Sequence, residues 1–128
     1  MTEDVDTMVY VVDDDAAIRD SIGVLLRAHG FQSKTFASPS EFLDFTAPSE
    51  NFCLVLDARL PGMSGLDLLD RLSQEGKAMP VIMITGHGDS TLVNEAKRRG
   101  VIECLKKPFK GDELIAAIEL AISKIASP

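Results

Sequence analysis

The chain has 128 residues, enough for one domain with a full core, and its 45% hydrophobic content is ordinary for a globular protein. Its net charge of −7 argues against direct binding of nucleic acid by this domain, because phosphate binding requires clustered lysine and arginine. No apolar stretch approaches the ~20 residues that span a bilayer. Residues 1–7 hold three acids and no base, unlike a signal peptide, so we expect a cytoplasmic protein without membrane contact.

Short apolar runs alternate with helical patterns along the chain, which predicts five βα units. The strands are expected over residues 8–12, 31–36, 52–56, 81–84 and 102–105. The first, third and fourth runs are apolar at nearly every position, which is typical of parallel strands covered by helices on both faces. The second is the most polar and is expected at an edge. With no tryptophan and one tyrosine, the core is expected to be aliphatic.

The first two helices are predicted from apolar stripes and end signals. The first has Asp15 as its N-cap, Gly30 just after its end and a stripe formed by Ile18, Ile22, Leu25, Leu26 and His29. The second is expected to begin at a capping box over residues 38–41, with proline at its first position. It should continue through Phe42 and Phe45 and stop at Pro48.

The remaining helices complete a doubly wound α/β fold. The third is expected over residues 66–74, and the fourth is capped by Asp89 or Ser90 and ends near Gly100. The last ends near residues 126–128 and buries a stripe formed by Leu114, Ile118, Ala121, Ile122 and Ile125. We predict a five-stranded parallel sheet of order 2-1-3-4-5, in which ligands bind at the C-terminal edge of the strands.

The two cysteines are predicted to remain unpaired. Cys53 and Cys104 fall in the third and fifth strands, with one strand between them. Two strand spacings amount to ~9–10 Å, beyond the ~7 Å limit on the Cα separation in a disulfide. We therefore expect two reduced thiols, as in a reducing compartment.

Polar side chains follow the strands at the C-terminal edge: Asp13 and Asp14, then Asp57, Thr85 and Lys107. Two carboxylates ~4 Å apart repel by about 4 kcal/mol at an effective dielectric of ~20. Such a cluster therefore holds a proton or binds a cation. Oxygen ligands without histidine or thiolate select Mg²⁺ or a similar hard ion such as Mn²⁺.

Each of these residues has a structural and a functional interpretation. Asp57 is a turn carboxylate or a nucleophile, since aspartate forms acyl phosphates in covalent catalysis. Lys107 is a surface ion-pair partner or a point charge for phosphoryl oxygens. Thr85 is a strand terminus or a hydroxyl that bonds the product. Their order and spacing together favour a site that binds a metal ion and accepts a phosphoryl group.

From about residue 8 to residue 125 the chain resembles a bacterial response-regulator receiver domain, which has a flavodoxin-like fold. The resemblance is carried by the motifs Val11-Val12-Asp13-Asp14-Asp15, 56–65, Ile84-Thr85-Gly86-His87-Gly88 and Lys107-Pro108-Phe109. The segment 85–89 is similar to regulators of the nitrogen-fixation and styrene- or toluene-degradation type. Those regulators join a receiver to a C-terminal LuxR-type helix-turn-helix.

The resemblance implies an acceptor and a metal site. Asp57 corresponds to the phosphoacceptor, which takes a phosphoryl group from a sensor histidine kinase or from a small donor such as acetyl phosphate. Asp14 corresponds to the direct Mg²⁺ ligand and Asp13 to an acid that acts largely through metal-bound water. Asp57 and the backbone carbonyl of Arg59 complete the implied set of metal ligands.

The resemblance also implies the parts of a switch. Thr85 corresponds to the switch hydroxyl, and Lys107, with a cis bond to Pro108, corresponds to the lysine that contacts the phosphoryl group. Arg59 and His87 correspond to positions that border the phosphoryl site. Together with Gly86 and Cys104 they are expected to modulate it. We hypothesise that His87 influences the access of hydrolytic water.

One position departs from the family pattern. Cys104 stands where the family usually has tyrosine or phenylalanine, whose rotamer couples to the switch hydroxyl. A thiol does not report burial or exposure as an aromatic ring does. We hypothesise that signalling instead runs through the loop over residues 86–90 and the helix after it.

Two rival readings remain open. A Mg²⁺-dependent phosphatase of the haloacid-dehalogenase kind also uses an aspartate nucleophile, but it needs a second acid two residues later, where this chain has Arg59. A pseudo-receiver, which binds a partner without phosphorylation, is expected to lack Asp57, the acidic pair or Lys107. Cys104 is the only residue that favours it.

The resemblance sets expectations for the rest of the protein. Residues 1–7 are read as an N-terminal extension and residues 8–126 as the receiver domain, followed by an effector domain in a longer chain. The expected partners are a sensor histidine kinase, the effector domain in cis and, after phosphorylation, a second copy of the chain. We expect no catalysis beyond autophosphorylation and hydrolysis of the acyl phosphate.

Overall fold

The computed structural model describes residues 8–45, 52–60, 62–76, 79–86 and 90–126, with side chains up to residue 124. In these ranges strands and helices alternate, in the order β1 (Met8–Val12), α1 (Ala16–Ala28), β2 (Gln32–Phe36), α2 (Pro39–Asp44), β3 (Phe52–Asp57), α3 (Gly65–Gln74), β4 (Val81–Thr85), α4 (Ser90–Arg98), β5 (Glu103–Lys106) and α5 (Gly111–Ala126).

The strands form one parallel sheet of order β2-β1-β3-β4-β5, which confirms the predicted topology. In the register of the sheet, Val12 lies beside Leu56, Asp57 beside Ile84, and Thr85 beside Lys106. The C-terminal ends of the four strands β1, β3, β4 and β5 are therefore nearly level. Any polar side chains at these ends are brought to one edge.

Helices cover both faces of the sheet, and each face has its own core. On one face α1 and α5 pack through residues such as Leu26 and Ile118 against Val11 and Val55. On the other face lie α2, α3 and α4, with Leu68 among the fully buried side chains. Burying one large aliphatic side chain contributes roughly 1.5–3 kcal/mol, so the alternation of strand residues between two cores fixes the register.

The expectation of an aliphatic core is wrong for one face. Tyr10 packs against four phenylalanine rings at centroid distances of 5.0–6.0 Å, from β2, α2, the C-cap residue of α2 and β3. The four phenylalanines lie between residues 36 and 52, but the number of aromatic residues alone did not show that they meet. The rings are Phe36, Phe42, Phe45 and Phe52.

The helix ends agree with the predictions in part. Asp15 caps α1 and accepts from the N–H of Ala17 at 2.9 Å. His29 is an exposed C-cap residue and not part of the buried stripe, since its ring nitrogen Nδ1 bonds the Leu25 carbonyl and holds it at the helix end. Gly30 follows with φ of +84°, a conformation that glycine adopts readily.

The capping box predicted for α2 forms only in part. Ser38 accepts from the N–H of Glu41, but the Glu41 carboxylate accepts from Ala37 and not from Ser38. Phe45 is the C-cap residue rather than helical, and Pro48 lies outside the described residues.

Helix α3 begins with a complete capping box that was not predicted from the sequence. The Ser64 hydroxyl accepts from the N–H of Asp67, and the Asp67 carboxylate accepts from that of Ser64. It fixes the start of the helix that follows the loop after β3.

Other boundaries differ by one or two residues. β2 begins one residue later than predicted, and β5 is displaced by one residue toward the C-terminus. Ser90 is the first helical residue of α4 rather than its cap, and Asp89 lies outside the described residues. In α5, three predicted stripe residues are buried, namely Leu114, Ile118 and Ala121, and Ile122 packs against the same core. The side chain of Ile125 lies outside the described part of the chain.

Both cysteines are free, as predicted. Cys53 is fully buried in the core on the α1 and α5 side, whereas Cys104 is half-buried against the opposite core. None of the helices in the described ranges has the length and apolar character that a membrane crossing requires.

The two thiols are expected to react at very different rates. Burial raises the pKa of the Cys53 thiol to about 12, so little thiolate forms in the folded protein. In native buffer an aromatic disulfide reagent should therefore modify one thiol, Cys104, and a second only after denaturation. The absorbance of the released aromatic thiolate measures the number of thiols that have reacted. The matched control is Cys104→Ser, which should be inert until unfolded; rapid native labelling of that variant would contradict the prediction.

Candidate functional site

The site residues lie at the C-terminal edge of the sheet. Asp57 and Thr85 are the last residues of β3 and β4, one residue further along each strand than the sequence predicted. Asp13 and Lys107 directly follow β1 and β5. Asp13, Asp57 and Thr85 are 1%, 6% and 1% exposed, and they are the buried polar residues in the described part of the chain. The edge is therefore polar where the rest of the interior is apolar.

The predicted carboxylate cluster is present. Asp13, Asp14 and Asp57 each place one carboxylate oxygen within 4.8 Å of those of the other two. Asp14 is exposed, while Asp13 and Asp57 are buried. Three acids this close repel one another unless a cation lies among them.

The two carboxylate oxygens of Asp13 have different surroundings. Its Oδ1 accepts from the N–H of Asp15 at 2.9 Å. Its Oδ2 is buried and accepts no hydrogen bond from the described residues; the Nζ of Lys107 lies 3.9 Å away. Burial raises the pKa of Asp13, the Asp15 N–H counteracts this, and the charge of Asp57 raises the pKa further. An ionised Asp13 therefore favours a cation at Oδ2.

Asp57 is held at both oxygens. Lys107 Nζ donates to Oδ2 at 3.1 Å, and the Arg59 N–H donates to Oδ1 at 3.1 Å. Partial burial lowers the pKa of Lys107, but its hydrogen bond to Asp57 and the charge of Asp57 outweigh burial, so this pKa is raised. Lys107 is therefore a persistent cation beside the carboxylate. The peptide bond from Lys107 to Pro108 is cis, as the resemblance implied.

The loop after Asp57 depends on a glycine whose role the sequence reading missed. Gly65 donates its N–H to the Ala58 carbonyl at 2.9 Å. A Cβ atom at position 65 would lie only 2.9 Å from the Asp57 carbonyl oxygen. Only glycine lets α3 begin this close to the acid, and the segment Ser64-Gly65 just before a helical stripe was the available signal.

The Thr85 hydroxyl lies at the same edge but bonds elsewhere. Its Oγ1 donates to the backbone carbonyl of Leu105 on β5 at 3.4 Å, a long and therefore weak hydrogen bond. The Lys107 N–H donates to the Thr85 carbonyl at 2.9 Å, which joins β4 to the segment after β5. A weakly held hydroxyl can change partner at small cost.

The predicted modulating positions are only partly described. Gly86 follows β4 and is half-buried, and Arg59 is exposed two residues after Asp57. His87 lies outside the described residues. Cys104 pairs with Met83 in the register of β4 and β5 and packs in the core on the α4 side. It therefore lies behind the edge and not in it.

The donor set fits a hard divalent cation. The three clustered side chains offer carboxylate oxygens only, the ligand type that Mg²⁺ and Mn²⁺ prefer. The buried Oδ2 of Asp13 lacks a hydrogen-bond donor among the described residues, which a bound cation would compensate. The structure thus brings together the carboxylates of Asp13, Asp14 and Asp57, which are the side chains predicted to bind the metal.

The molecule belongs to the flavodoxin-like class of doubly wound proteins. This follows from the strand order of the sheet, the helical layer on each of its faces and the acidic residues at the C-terminal edge. The sequence profile of the family described as response regulator receiver domain matches residues 9–119. The chain therefore belongs to the response regulator receiver domain family.

Individual relatives agree with this assignment. The chain is 44% identical over 115 residues to the transcriptional regulatory protein FixJ of Bradyrhizobium diazoefficiens, covering 89% of this chain and 56% of FixJ. It is 38% identical over 119 residues to the response regulator protein TmoT of Ectopseudomonas mendocina, covering 93% of this chain and 54% of TmoT. The chain thus spans about half the length of these curated relatives.

Solved structures show the same fold. The crystal structure of FixJ-N superposes with a TM-score of 0.86 at 39% identity, covering 92% of this chain and 94% of that one. The low-resolution structure of response regulator StyR gives a TM-score of 0.88 at 41% identity, covering 94% of this chain and 61% of that one. FixJ, TmoT and StyR match the type of regulator that the resemblance suggested.

The buried acid is expected to cost stability when no metal is present. In Asp13→Asn the amide oxygen can still accept from Asp15, but the buried charge is gone. We expect the metal-free free energy of unfolding to rise by ~1–3 kcal/mol, because the loss of the buried charge removes its desolvation cost and its repulsion by Asp57 and Asp14, less the lost attraction to Lys107. Urea denaturation in a chelating buffer measures it.

The matched control is Asp14→Asn, which removes the same charge from an exposed position and should change metal-free stability less. Added Mg²⁺ should stabilise the wild type by RT ln(1 + [L]/Kd) and both variants less. A fall in metal-free stability of Asp13→Asn would refute this account of Oδ2.

Proposed function

We propose that this chain is the phosphorylation-activated switch of a two-component phosphorelay, with Asp57 as the phosphoacceptor. The observation that supports it most directly is the buried Asp57 carboxylate, hydrogen-bonded to Lys107 at 3.1 Å and clustered with Asp13 and Asp14. Membership of the receiver family supports the same conclusion. A turn carboxylate of purely structural importance would not need two further acids within 4.8 Å.

The chemistry is a transfer of one phosphoryl group. An oxygen of Asp57 attacks phosphorus, and the bond from phosphorus to the histidine nitrogen of a sensor kinase, or to the acetate oxygen of acetyl phosphate, breaks. The product is an acyl phosphate, and histidine or acetate leaves. Mg²⁺ held by Asp13, Asp14, Asp57 and the Arg59 carbonyl would neutralise charge on the phosphoryl oxygens and orient the group.

The chain's own residues prepare Asp57 for this step. The Arg59 N–H and Lys107 Nζ hold the two carboxylate oxygens in place before the donor arrives. After transfer, Lys107 is free to contact the phosphoryl oxygens as a point charge. Because the acid is 6% exposed, bulk water has little access to it.

The switch requires contacts that exist only in the phosphorylated state. We propose that the Thr85 hydroxyl leaves the Leu105 carbonyl, where it is weakly held at 3.4 Å, and bonds a phosphoryl oxygen. Shifting two conformations from 1:99 to 99:1 takes about 5.5 kcal/mol. Hydrogen bonds to charged groups contribute ~1.5–3 kcal/mol each, so Thr85 and Lys107 together supply much of it.

We further propose that the signal passes from Thr85 through residues 86–90 to α4, with Gly86 and His87 modulating the site. α4 is suited to movement because Ala96 is the one residue it buries completely in the described chain. Cys104 lies in the core between β5 and this helix. The coupling therefore lacks the aromatic ring that the family resemblance implies at position 104.

The surrounding protein is proposed from the resemblance. Residues 8–126 act as the receiver after a short extension over 1–7, and a LuxR-type effector domain follows in a longer chain that regulates transcription. The chain acts in the cytoplasm, where a sensor histidine kinase supplies the phosphoryl group, and phosphorylation promotes pairing of two copies. The activity is confined to the domain's own phosphorylation and dephosphorylation.

Intact-protein mass after incubation with acetyl phosphate tests the acceptor. With Mg²⁺ we expect the wild type to gain one phosphoryl group, and without Mg²⁺ or in Asp57→Asn we expect no gain. A folded wild type that binds Mg²⁺ yet gains nothing, from acetyl phosphate or a phosphorylated kinase, would favour the pseudo-receiver. Catalytic release of phosphate from added phosphate esters would instead favour a phosphatase.

The role of Cys104 is tested by phosphorylation-driven assembly, followed by sedimentation with and without acetyl phosphate. Cys104→Ala and Cys104→Tyr are expected to assemble as the wild type does, because the proposed route passes through residues 86–90. The control Thr85→Ala should still be phosphorylated but should assemble poorly. A large loss of assembly in the alanine variant of Cys104 would overturn the proposed route.

A further inference from the structure

The backbone and side chain of Asp13 are held by three partners that come from different elements. Its N–H donates to the Phe36 carbonyl of β2 at 3.1 Å. Its Oδ1 accepts from the N–H of Asp15 at 2.9 Å. Its carbonyl oxygen accepts from the guanidinium of Arg19 on α1 at 2.7 Å. Of its polar atoms only Oδ2 accepts no hydrogen bond from the described residues.

The contact from Arg19 closes a short ring of interactions around the loop between β1 and α1. Arg19 donates its own N–H to the Asp15 carbonyl at 3.0 Å as part of the first helical turn. Its side chain then reaches back past this turn to the end of β1, six residues earlier. Asp13 and Asp14 both lie inside this ring, so Arg19 fixes the loop that carries two of the three clustered acids.

The contact is short and is assisted by the arginine charge, so it is among the stronger hydrogen bonds of the loop. Its acceptor is a backbone carbonyl and not one of the clustered carboxylates, which therefore remain available to a metal ion. A guanidinium this close to a cation site repels the ion. Arg19 can therefore favour metal binding only by holding the loop in position, and not through its charge.

We propose that Arg19 is a positioning residue for the metal site: by holding the Asp13 carbonyl it keeps the Asp13 and Asp14 side chains in the arrangement that binds Mg²⁺. This inference rests on the proposed function, because it is the phosphoryl transfer that uses the metal. Residues that orient metal ligands typically change metal affinity 10–100-fold when they are replaced.

Calorimetric titration of the purified chain with Mg²⁺ tests the inference without any phosphoryl transfer. We expect Arg19→Ala to weaken Mg²⁺ binding about tenfold. Arg19→Lys keeps the charge and a donor and should recover most of the affinity. The control Arg27→Ala removes the same charge from the exposed last turn of α1 and should bind as the wild type does.

Amide hydrogen exchange in the metal-free protein supplies a second readout. In Arg19→Ala the loss of the Arg19 hydrogen bond to the Asp13 carbonyl should speed exchange of the Asp15 N–H, while the N–H groups of β3 stay protected. If the alanine variant proves unstable, Arg19→Met retains the apolar stem of the side chain and removes the donor. Mg²⁺ affinity equal to or tighter than that of the wild type in the alanine or methionine variant would overturn the proposal.

Phosphorylation kinetics separate this inference from the proposed function. In Arg19→Ala the Mg²⁺ concentration for half-maximal phosphorylation by acetyl phosphate should rise about tenfold, with little change in the rate at saturating Mg²⁺. A lower rate at saturating Mg²⁺ with unchanged affinity would overturn the positioning role. A wild type that accepts no phosphoryl group would refute the proposed function, and the calorimetry would still decide the role of Arg19.

Discussion

Mutual repulsion of three carboxylates is the constraint on which the rest of this structure depends. Asp13, Asp14 and Asp57 lie within 4.8 Å of one another, and Lys107 is the cation in contact with them among the described residues. One lysine offsets one charge, so the apo protein retains an excess of negative charge at a largely buried edge. A divalent cation would neutralise that excess, and the proposed phosphoryl transfer requires such a cation. The fold tolerates it because two apolar cores, one on each face of the sheet, supply the stability elsewhere.

The parallel sheet suits the proposed switch. Asp57 and Thr85 end adjacent strands, and Lys107 follows the next strand, so a change of charge at Asp57 would act on residues of two further strands. Thr85 takes part through a side chain at the end of its strand, and Lys107 through the ammonium group at the end of a flexible side chain. In the proposed switch the sheet would therefore hold Asp57 in place while Thr85 and Lys107 change hydrogen-bond partners.

Much of this was predictable because the signals are local. Apolar runs of about five residues gave the strands, and polar residues at their ends selected one edge of the sheet. What sequence could not show depends on contacts between distant segments. Tyr10 meets phenylalanines of β2, α2, the α2 C-cap and β3. His29 is held by the Leu25 carbonyl outside the core, and Arg19 reaches a carbonyl six residues back. The strand ends were placed one residue early because Asp57 and Thr85 are polar, although both still pair in the sheet.

The close approach at Gly65 has a consequence for how such a site could be transplanted. The start of α3 lies against the Asp57 backbone with no space for a side chain. Copying the acids and the lysine onto another doubly wound sheet would therefore not reproduce the site. A graft would also need the helix that begins with Ser64-Gly65, packed directly against the Asp57 carbonyl. The unit of inheritance or design is thus a strand, its loop and the first turn of the next helix, and not a set of functional side chains.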